Sequence, residues 1–390
     1  MKQDRPGKQD RPGKAKGPAE AASKRQSFSK KTAVGIREVA AAAGVSPATV
    51  SQVFNHKGEA SAATRERVLS VGDRLGYRPN PVGQALRSGR SRVIGVVVSY
   101  RESAVWQQTY MPYYQSIIAG AAIEAVDHGY SISAAPSTED GEIETRLPLD
   151  GVIVVDPIPN DPVVEQCMAR GLAVVIDGGY SPATDGARMV SVRADVAQGI
   201  PTVLDHLWDQ HVARAHGNAG NKQGESGGEA SDQSGENRPF RPALFTGPRL
   251  DSYTTDTTNA YQSWCEMRGL EPIVATLGHD QPPLDAARAL LARGPRELNA
   301  VHCLNETYCS AATAAAAELG LAIPTDLQIS VAGSAYSVGS EERAAYLNLD
   351  PVASGALCAR SLIELLEGRP VEDHLEPMVL VPARRVDFGA

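Results

Sequence analysis

No run of apolar residues in this 390-residue chain approaches the roughly 18 that a membrane helix needs, and its first residues contain no apolar core of the secretory kind. A cytoplasmic protein is therefore expected. The five cysteines, Cys167, Cys265, Cys303, Cys309 and Cys358, are odd in number and form no C-x2-C pair. That spacing indicates neither a disulfide framework nor a zinc site, and buried free thiols are the expectation. The eight histidines are scattered, and His206 with His211 misses by one residue the i, i+4 spacing of a helical metal site. No G-x-x-x-x-G-K-[ST], G-x-S-x-G, G-x-G-x-x-G or H-E-x-x-H is present, so phosphate-loop, hydrolase, dinucleotide and metalloprotease chemistry lack their usual signatures. No catalytic residue, cofactor or metal is expected. Nor does any heptad announce a coiled-coil partner.

The net charge of −8 hides a division. Residues 1–31 carry ten Lys/Arg against three Asp/Glu, and residues 32–90 carry eight against four. These stretches are +7 and +4, so the rest of the chain must be −19. A basic head on an acidic body favours phosphates at one end only and orients the molecule on a polyanion. The extreme N-terminus repeats KQDRPG at Lys2–Gly7 and Lys8–Gly13, and Phe28 is its one large apolar residue. Such a segment cannot bury a core, and residues 1–31 read as a disordered basic tail.

The most informative stretch is Ile36 to Asn55, IREVAAAAGVSPATVSQVFN. Ile36, Val39, Ala40 and Ala43 fall at i, i+3, i+4 and i+7, one buried helical face. Gly44 breaks the pattern. Ser46 is a good N-cap, and Pro47 falls at the first helical position, where its missing N–H costs nothing. On the second helix Val50, Val53 and Phe54 turn inward, leaving Pro47, Ala48, Thr49, Ser51 and Gln52 facing out or along the rim. Two short helices with a Gly-containing turn make a helix-turn-helix, and an uncharged polar outer face suits a major groove. Ser61 caps a third helix whose Val68, Leu69 and Leu75 are available to close a small core.

Beyond a basic linker at 88–92, the pattern changes. Val93–Val98 is a continuous β-branched run, and similar runs recur at 151–155, 173–176, 243–245, 300–304 and 329–332. Helical patterns separate them at 113–128, 163–170, 198–209, 259–268, 284–293, 307–319 and 352–367. Strand alternating with helix predicts parallel sheets covered on both faces. Residues 217–238 are rich in Gly, Ser, Glu, Asn and Gln and read as a disordered surface insertion.

From Gly35 to Arg90 the sequence resembles the lactose/galactose repressor family. The matching residues are Val39-Ala40, Ala43-Gly44-Val45-Ser46, Thr49-Val50-Ser51, Val53, Asn55, Ser61, Thr64-Arg65, Val68, Leu75-Gly76-Tyr77, Pro79-Asn80 and Leu86. Looser matches run over most of residues 91–370: Pro112-Tyr113-Tyr114 with Gly120, Asp150-Gly151, Asp195 with Gly199, Asn305-Glu306, Gly320-Leu321 with Pro324 and Asp326, and Asp350-Pro351. The resemblance implies an all-α helix-turn-helix head (32–78), a hinge helix and linker (79–92), and an α/β periplasmic-binding-protein-like body of two doubly wound parallel-sheet subdomains (93–390) that binds effector and dimerises.

It also implies roles. Ser46, Thr49, Ser51 and Asn55 would position the second helix on phosphates, Pro47, Ala48 and Gln52 would face base edges, and Asn80, Gln84 and Leu86 would lie in the minor groove with Leu86 as wedge. Arginine is common at the Gln52 position and larger polar residues at the other two, and Gly83 replaces a usual alanine. The effector candidates are Tyr113, Tyr114, Asp177, Asn305, Glu306 and Asp350. Against a simple hexose, Thr257 stands where sugar-binding members carry arginine, and Ser334-Ala335-Tyr336 replaces an aromatic and paired aspartates. The function implied is a nucleoid-associated repressor that binds a pseudo-palindromic operator as a homodimer under control of a small molecule. The alternative is a regulator of the same fold whose body answers to a protein partner or to no ligand.

Overall fold

The computed structural model describes residues 34–54, 60–78, 89–98, 104–138, 140–145, 148–180, 188–220, 238–247, 251–278, 281–333 and 344–383, with only the backbone described over 104–110 and 217–220. The basic tail, Asn55, the segment bearing Asn80, Gln84 and Leu86, residues 334–343 and nearly all of the 217–238 insertion lie outside these residues. The chain divides into two compact units, residues 1–83 and 84–390.

The first unit is built on α1 (Ile36–Ala43), α2 (Pro47–Phe54) and α3 (Ala62–Leu75). α1 stops at Gly44, whose φ of 65° and ψ of 37° lie in the left-handed region that glycine enters without a Cβ clash. Ser46 then starts α2 by accepting a hydrogen bond from the Thr49 N–H at 3.1 Å. Ser61 starts α3 in the same way through the Thr64 N–H. Val39, Ala40, Ala43, Val50, Val53, Val68, Val71 and Tyr77 form the core. Leu69, expected in that core, is 40% exposed. The buried stripe on α3 runs instead through Val68, Val71 and Gly72 to the half-buried Leu75, an i, i+3, i+4, i+7 row from which Leu69 is rotated by about 100°. Gly72 admits the Phe54 ring, since a Cβ there would stand 2.5 Å from Phe54 Cζ.

The second unit holds two six-stranded sheets. The first comprises β1 (Val93–Val98), β2 (Ser131–Pro136), β3 (Gly151–Val155), β4 (Ala173–Asp177), β5 (Met189–Ala194) and β11 (His374–Glu376), in the spatial order β11-β5-β4-β3-β1-β2 and parallel throughout. The second comprises β6 (Pro242–Thr246), β7 (Ile273–Thr276), β8 (Ala300–Cys303), β9 (Gln328–Gly333), β10 (Ala345–Asn348) and β12 (Val379–Val381), in the order β12-β10-β9-β8-β6-β7, with β12 alone antiparallel. Helices α4 (Ala104–Asp127), α5 (Pro162–Ala169) and α10 (Pro351–Leu366) serve the first sheet. Helices α6 (Val196–Gly220), α7 (Ser252–Met267), α8 (Pro283–Leu291) and α9 (Glu306–Glu318) serve the second. Both sheets are the expected kind. β2, β5, β7, β10, β11 and β12 were not foreseen, because they are short, edge-lying or too polar to read as buried runs. All five cysteines are buried and free.

The chain passes between the sheets three times, after β5, after β10 and between β11 and β12. α10 returns to the first sheet after β10, and it crosses α4 at backbone contact. A Cβ on Gly120 would stand 1.9 Å from the Val352 carbonyl oxygen, and one on Gly355 would stand 2.1 Å from that of Ile117. Arg360 donates two hydrogen bonds to Glu124 across the same crossing, at 2.8 and 3.0 Å. At the start of the unit, Asp150 accepts from the Ser91 N–H and hydroxyl and from the Arg92 N–H at 2.7–2.9 Å, which ties the chain leading into β1 to the turn before β3. Gly120→Ala and Gly355→Ala should each destabilise this unit by at least about 1–3 kcal/mol, the usual range for an overpacked contact with no space to relax into. Urea unfolding measures it, and wild-type stability in both variants would exclude the close crossing.

Candidate functional site

Two surfaces bear on function. On the first unit, Ser46, Pro47, Ala48 and Gln52 are exposed, while Thr49 and Ser51 are half-buried. Ala48 and Gln52 are one turn apart and share a face. The Ser46 hydroxyl already accepts the Thr49 N–H and shares a 2.9 Å hydrogen bond with the Thr49 hydroxyl, so both side chains are held as an N-cap. The exposed strip Pro47, Ala48, Gln52 carries no charge.

On the second unit, a cavity of about 500 Å³ lies between the two sheets. It is a usual size for a small-molecule site. Parallel strands place it: apart from Pro112, Tyr113 and Ser116 in the middle of α4, most of its polar lining residues sit near strand carboxyl ends or in the first turns of the following helices. Asp156 follows β3, Asp177 ends β4, Arg193 is near the end of β5, Tyr253 opens α7, Asn305 and Glu306 open α9, Asp350 opens α10, and Glu376 ends β11. This is where open α/β sheets receive ligands.

Of the six effector candidates read from the sequence, Tyr113, Asp177, Asn305, Glu306 and Asp350 line the cavity. Tyr114 stands behind its wall, 2% exposed, with its hydroxyl donating to Asp156 at 3.2 Å. Tyr113 donates to Asp177 at 3.1 Å, and the two tyrosine rings meet edge to face. Asn305 and Asp350 also cap helices, accepting from the Tyr308 and Ala353 N–H groups. Thr257, 0% exposed, is packed away from the cavity. Sequence reasoning missed Asp156, Arg193, Tyr253, Asp256 and Glu376. Asp156 directly follows the β3 run, which was a usable signal. Glu376 was not findable, because its three-residue strand reaches the first sheet only by a late crossing.

Six carboxylates and one basic side chain, Arg193, are among the described lining residues. Burial pushes Asp177 up to about 7, and nearby Glu376 adds to it against the opposing effect of the Tyr113 hydrogen bond. Burial also raises Glu376, with Asp350 contributing, although the Ser354 hydroxyl donates to it at 2.6 Å. Tyr113 is raised well above a free phenol by burial and by Asp177. Two buried polar atoms in the lining lack a hydrogen-bond partner, Asn305 Nδ2 and the Tyr253 hydroxyl, the latter facing Thr257 without hydrogen-bond geometry. Among the described residues no helix is long and apolar enough to cross a membrane, and no cluster of His, Cys, Asp and Glu could hold a metal ion.

The Asp177 carboxyl binds its proton more tightly in the folded state than an unfolded aspartate does. It therefore costs no stability below the unfolded pKa of about 3.9, and its cost grows as the pH rises to about 7. Asp177→Asn keeps an acceptor for Tyr113 and removes the titration. The variant should gain thermal stability over the wild type between pH 4.5 and 7.5, read as the difference in unfolding midpoints, and a difference constant with pH would refute the buried charge.

Residues 35–80 match the bacterial regulatory proteins of the lacI family, and residues 238–385 match the periplasmic binding protein-like domain. The transcriptional regulator MalR of Staphylococcus xylosus is 28% identical over 159 residues, 39% of this chain and 46% of MalR. The regulator AglR of Rhizobium meliloti is 32% identical over 154 residues, 37% of this chain and 41% of AglR. The matched stretches thus span less than half of either relative. Among solved structures, the lac repressor dimer bound to operator and the anti-inducer ONPF superposes with a TM-score of 0.65 over 90% of this chain and 98% of that one, at 20% identity, a likeness of fold. Residues 35–80 thus carry a match to the lacI-family regulatory domain and residues 238–385 a match to a periplasmic binding protein-like domain, in a chain whose fold is that of the lac repressor structure.

Proposed function

We propose that this protein is a DNA-binding transcriptional repressor that reads a pseudo-palindromic operator as a homodimer and responds to a small molecule held in the cleft of its body. The observation that carries this reading is the exposed, uncharged face of α2 in a head that matches the lacI family. A neutral strip fits between phosphate rows, and Gln52 offers the paired donor and acceptor that suit adenine N6 and N7. Pro47 and Ala48 offer apolar contact, as to a thymine methyl. Ser46, Thr49, Ser51 and Asn55 position the helix on the backbone, and Asn80, Gln84 and Leu86 act in the minor groove.

Two α2 helices are needed for two half-sites, hence the dimer. Ile123 and Val126 on α4, 65% and 68% exposed, are apolar surface that a second copy would cover. The cleft between the sheets is the effector site, with Tyr113, Asp177, Asn305, Glu306 and Asp350 in contact and Tyr114 supporting Asp156.

Selection of binding sites from randomised duplex DNA tests the head. A two-fold-related site should emerge, adenine-biased opposite Gln52, and Gln52→Ala should relax that one position by about 1–3 kcal/mol. Invariant guanine there, or no enriched site, would sink the reading of α2. Leu86→Ala should abolish specific binding while sedimentation still reports a dimer. Unchanged operator affinity would remove Leu86 from the wedge role.

A further inference from the structure

The cleft is unusual in its charge, and its charge is arranged. Asp177, Glu376 and Asp350 come from β4, β11 and the α10 cap, on the first sheet and at the crossover that leads back to it; the charge of Glu376 raises the proton affinity of Asp177, and that of Asp350 raises the proton affinity of Glu376. Their described hydrogen-bond donors are neutral: the Tyr113 hydroxyl for Asp177, the Ser354 hydroxyl for Glu376 and the Ala353 N–H for Asp350. Arg193, the basic lining residue, is exposed and lies where its charge acts on Asp256, and His374, on the same short strand as Glu376, is the other base that acts on this group. On the second-sheet side the requirement is different. Asn305 Nδ2 and the Tyr253 hydroxyl are buried donors without partners, and a buried donor left unmade costs about 1–3 kcal/mol unless a ligand supplies an acceptor.

From these two halves we infer that the cleft takes a small organic cation of the amino-sugar or amino-alcohol class, its ammonium group set among Asp177, Glu376 and Asp350 and its hydroxyl oxygens meeting Asn305 and Tyr253. The inference rests on the cleft being the effector site and specifies the effector's chemistry. A neutral sugar can donate hydroxyls to carboxylates, but it leaves their mutual repulsion in place. An ammonium group relieves that repulsion and offers three donors in one compact charge.

Titration calorimetry on the full chain at pH 8 distinguishes the two, using probes matched in shape: D-glucamine against D-sorbitol, and D-glucosamine against D-glucose. Glucamine keeps its alkylammonium charge at that pH. The amine of at least one pair should bind ten times or more tighter than its neutral partner, about 1.4 kcal/mol. Glu376→Gln and Asp350→Asn should each weaken the amine at least about tenfold and leave the neutral probe within twofold. Asp350→Asn serves as the conservative variant, since asparagine caps a helix as well as aspartate does. Unfolding midpoints without probe verify that both variants fold. Equal or tighter binding of the neutral members, no binding of any of the four, or amine affinity unmoved in both variants would overturn the assignment. Capture of the selected operator by the same preparation is scored separately. Operator binding without amine preference refutes the ligand class alone, and its loss refutes the regulator.

Discussion

The direction of the strands is the constraint on which the second unit depends. Parallel pairing forces each strand to leave its sheet at the same edge and return through a crossover. Every loop that begins at a carboxyl end is therefore gathered on one side. With two such sheets joined by three crossings, the gathered edges face one another, and polar residues at strand ends arrive in one cavity whatever their separation in sequence. Tyr113 and Glu376 are 263 positions apart and line the same space. The cost of that arrangement falls on backbone contacts elsewhere. The first sheet must accept α10 back from the second, and only Gly120 and Gly355 allow α10 and α4 to cross so closely.

Much of this was legible because the elements that bury most area carry the plainest patterns. β1, β3 and β4 are runs dominated by Val and Ile and are buried along almost their whole length, and the helices between them show apolar spacing that survives in the structure. The edge strands were not legible for the converse reason. β2 reads SISAAP with one face open, and β11 and β12 are three residues each, held by pairing with neighbours rather than by their own composition. Asp177, Asn305 and Asp350 were located through the family resemblance, and each lies beside a readable element: Asp177 ends β4, Asn305 follows β8 and caps α9, and Asp350 caps α10. Glu376 lies at the end of an element that only tertiary pairing creates, and the Tyr113–Asp177 hydrogen bond joins positions that no local rule relates.

In the first unit the hierarchy is reversed, and local rules decide nearly everything. Gly44 and Gly76 end α1 and α3 in the left-handed region, and Ser46 and Ser61 begin α2 and α3 by capping. Three helices of eight, eight and fourteen residues would be marginal in isolation, so a buried face must hold them. That face is small, eight buried residues, which explains why a one-position error in choosing its members, Leu69 for Val71, changes the picture of the core without changing the fold.

The charge partition ties the two units together. The face of α2 proposed to read bases is neutral, so attraction to a polyanion has to come from the basic residues around it and from the +7 tail, while the −19 remainder of the chain repels the same phosphates. Attraction of this kind is insensitive to sequence, so the proposed reading leaves discrimination to a few short contacts from Gln52 and its two apolar neighbours. The acidity of the body also sets the potential inside its cleft, which six carboxylates line. On the proposed function, one distribution of carboxylates would serve two ends: orienting the chain on DNA and selecting against anions in the cavity. A ligand entering that cavity changes the field at the ends of β4, β11 and α10, and the last of these follows the crossover from the second sheet. Electrostatic relief by the proposed ligand would therefore fall beside one of the three segments that join the two sheets.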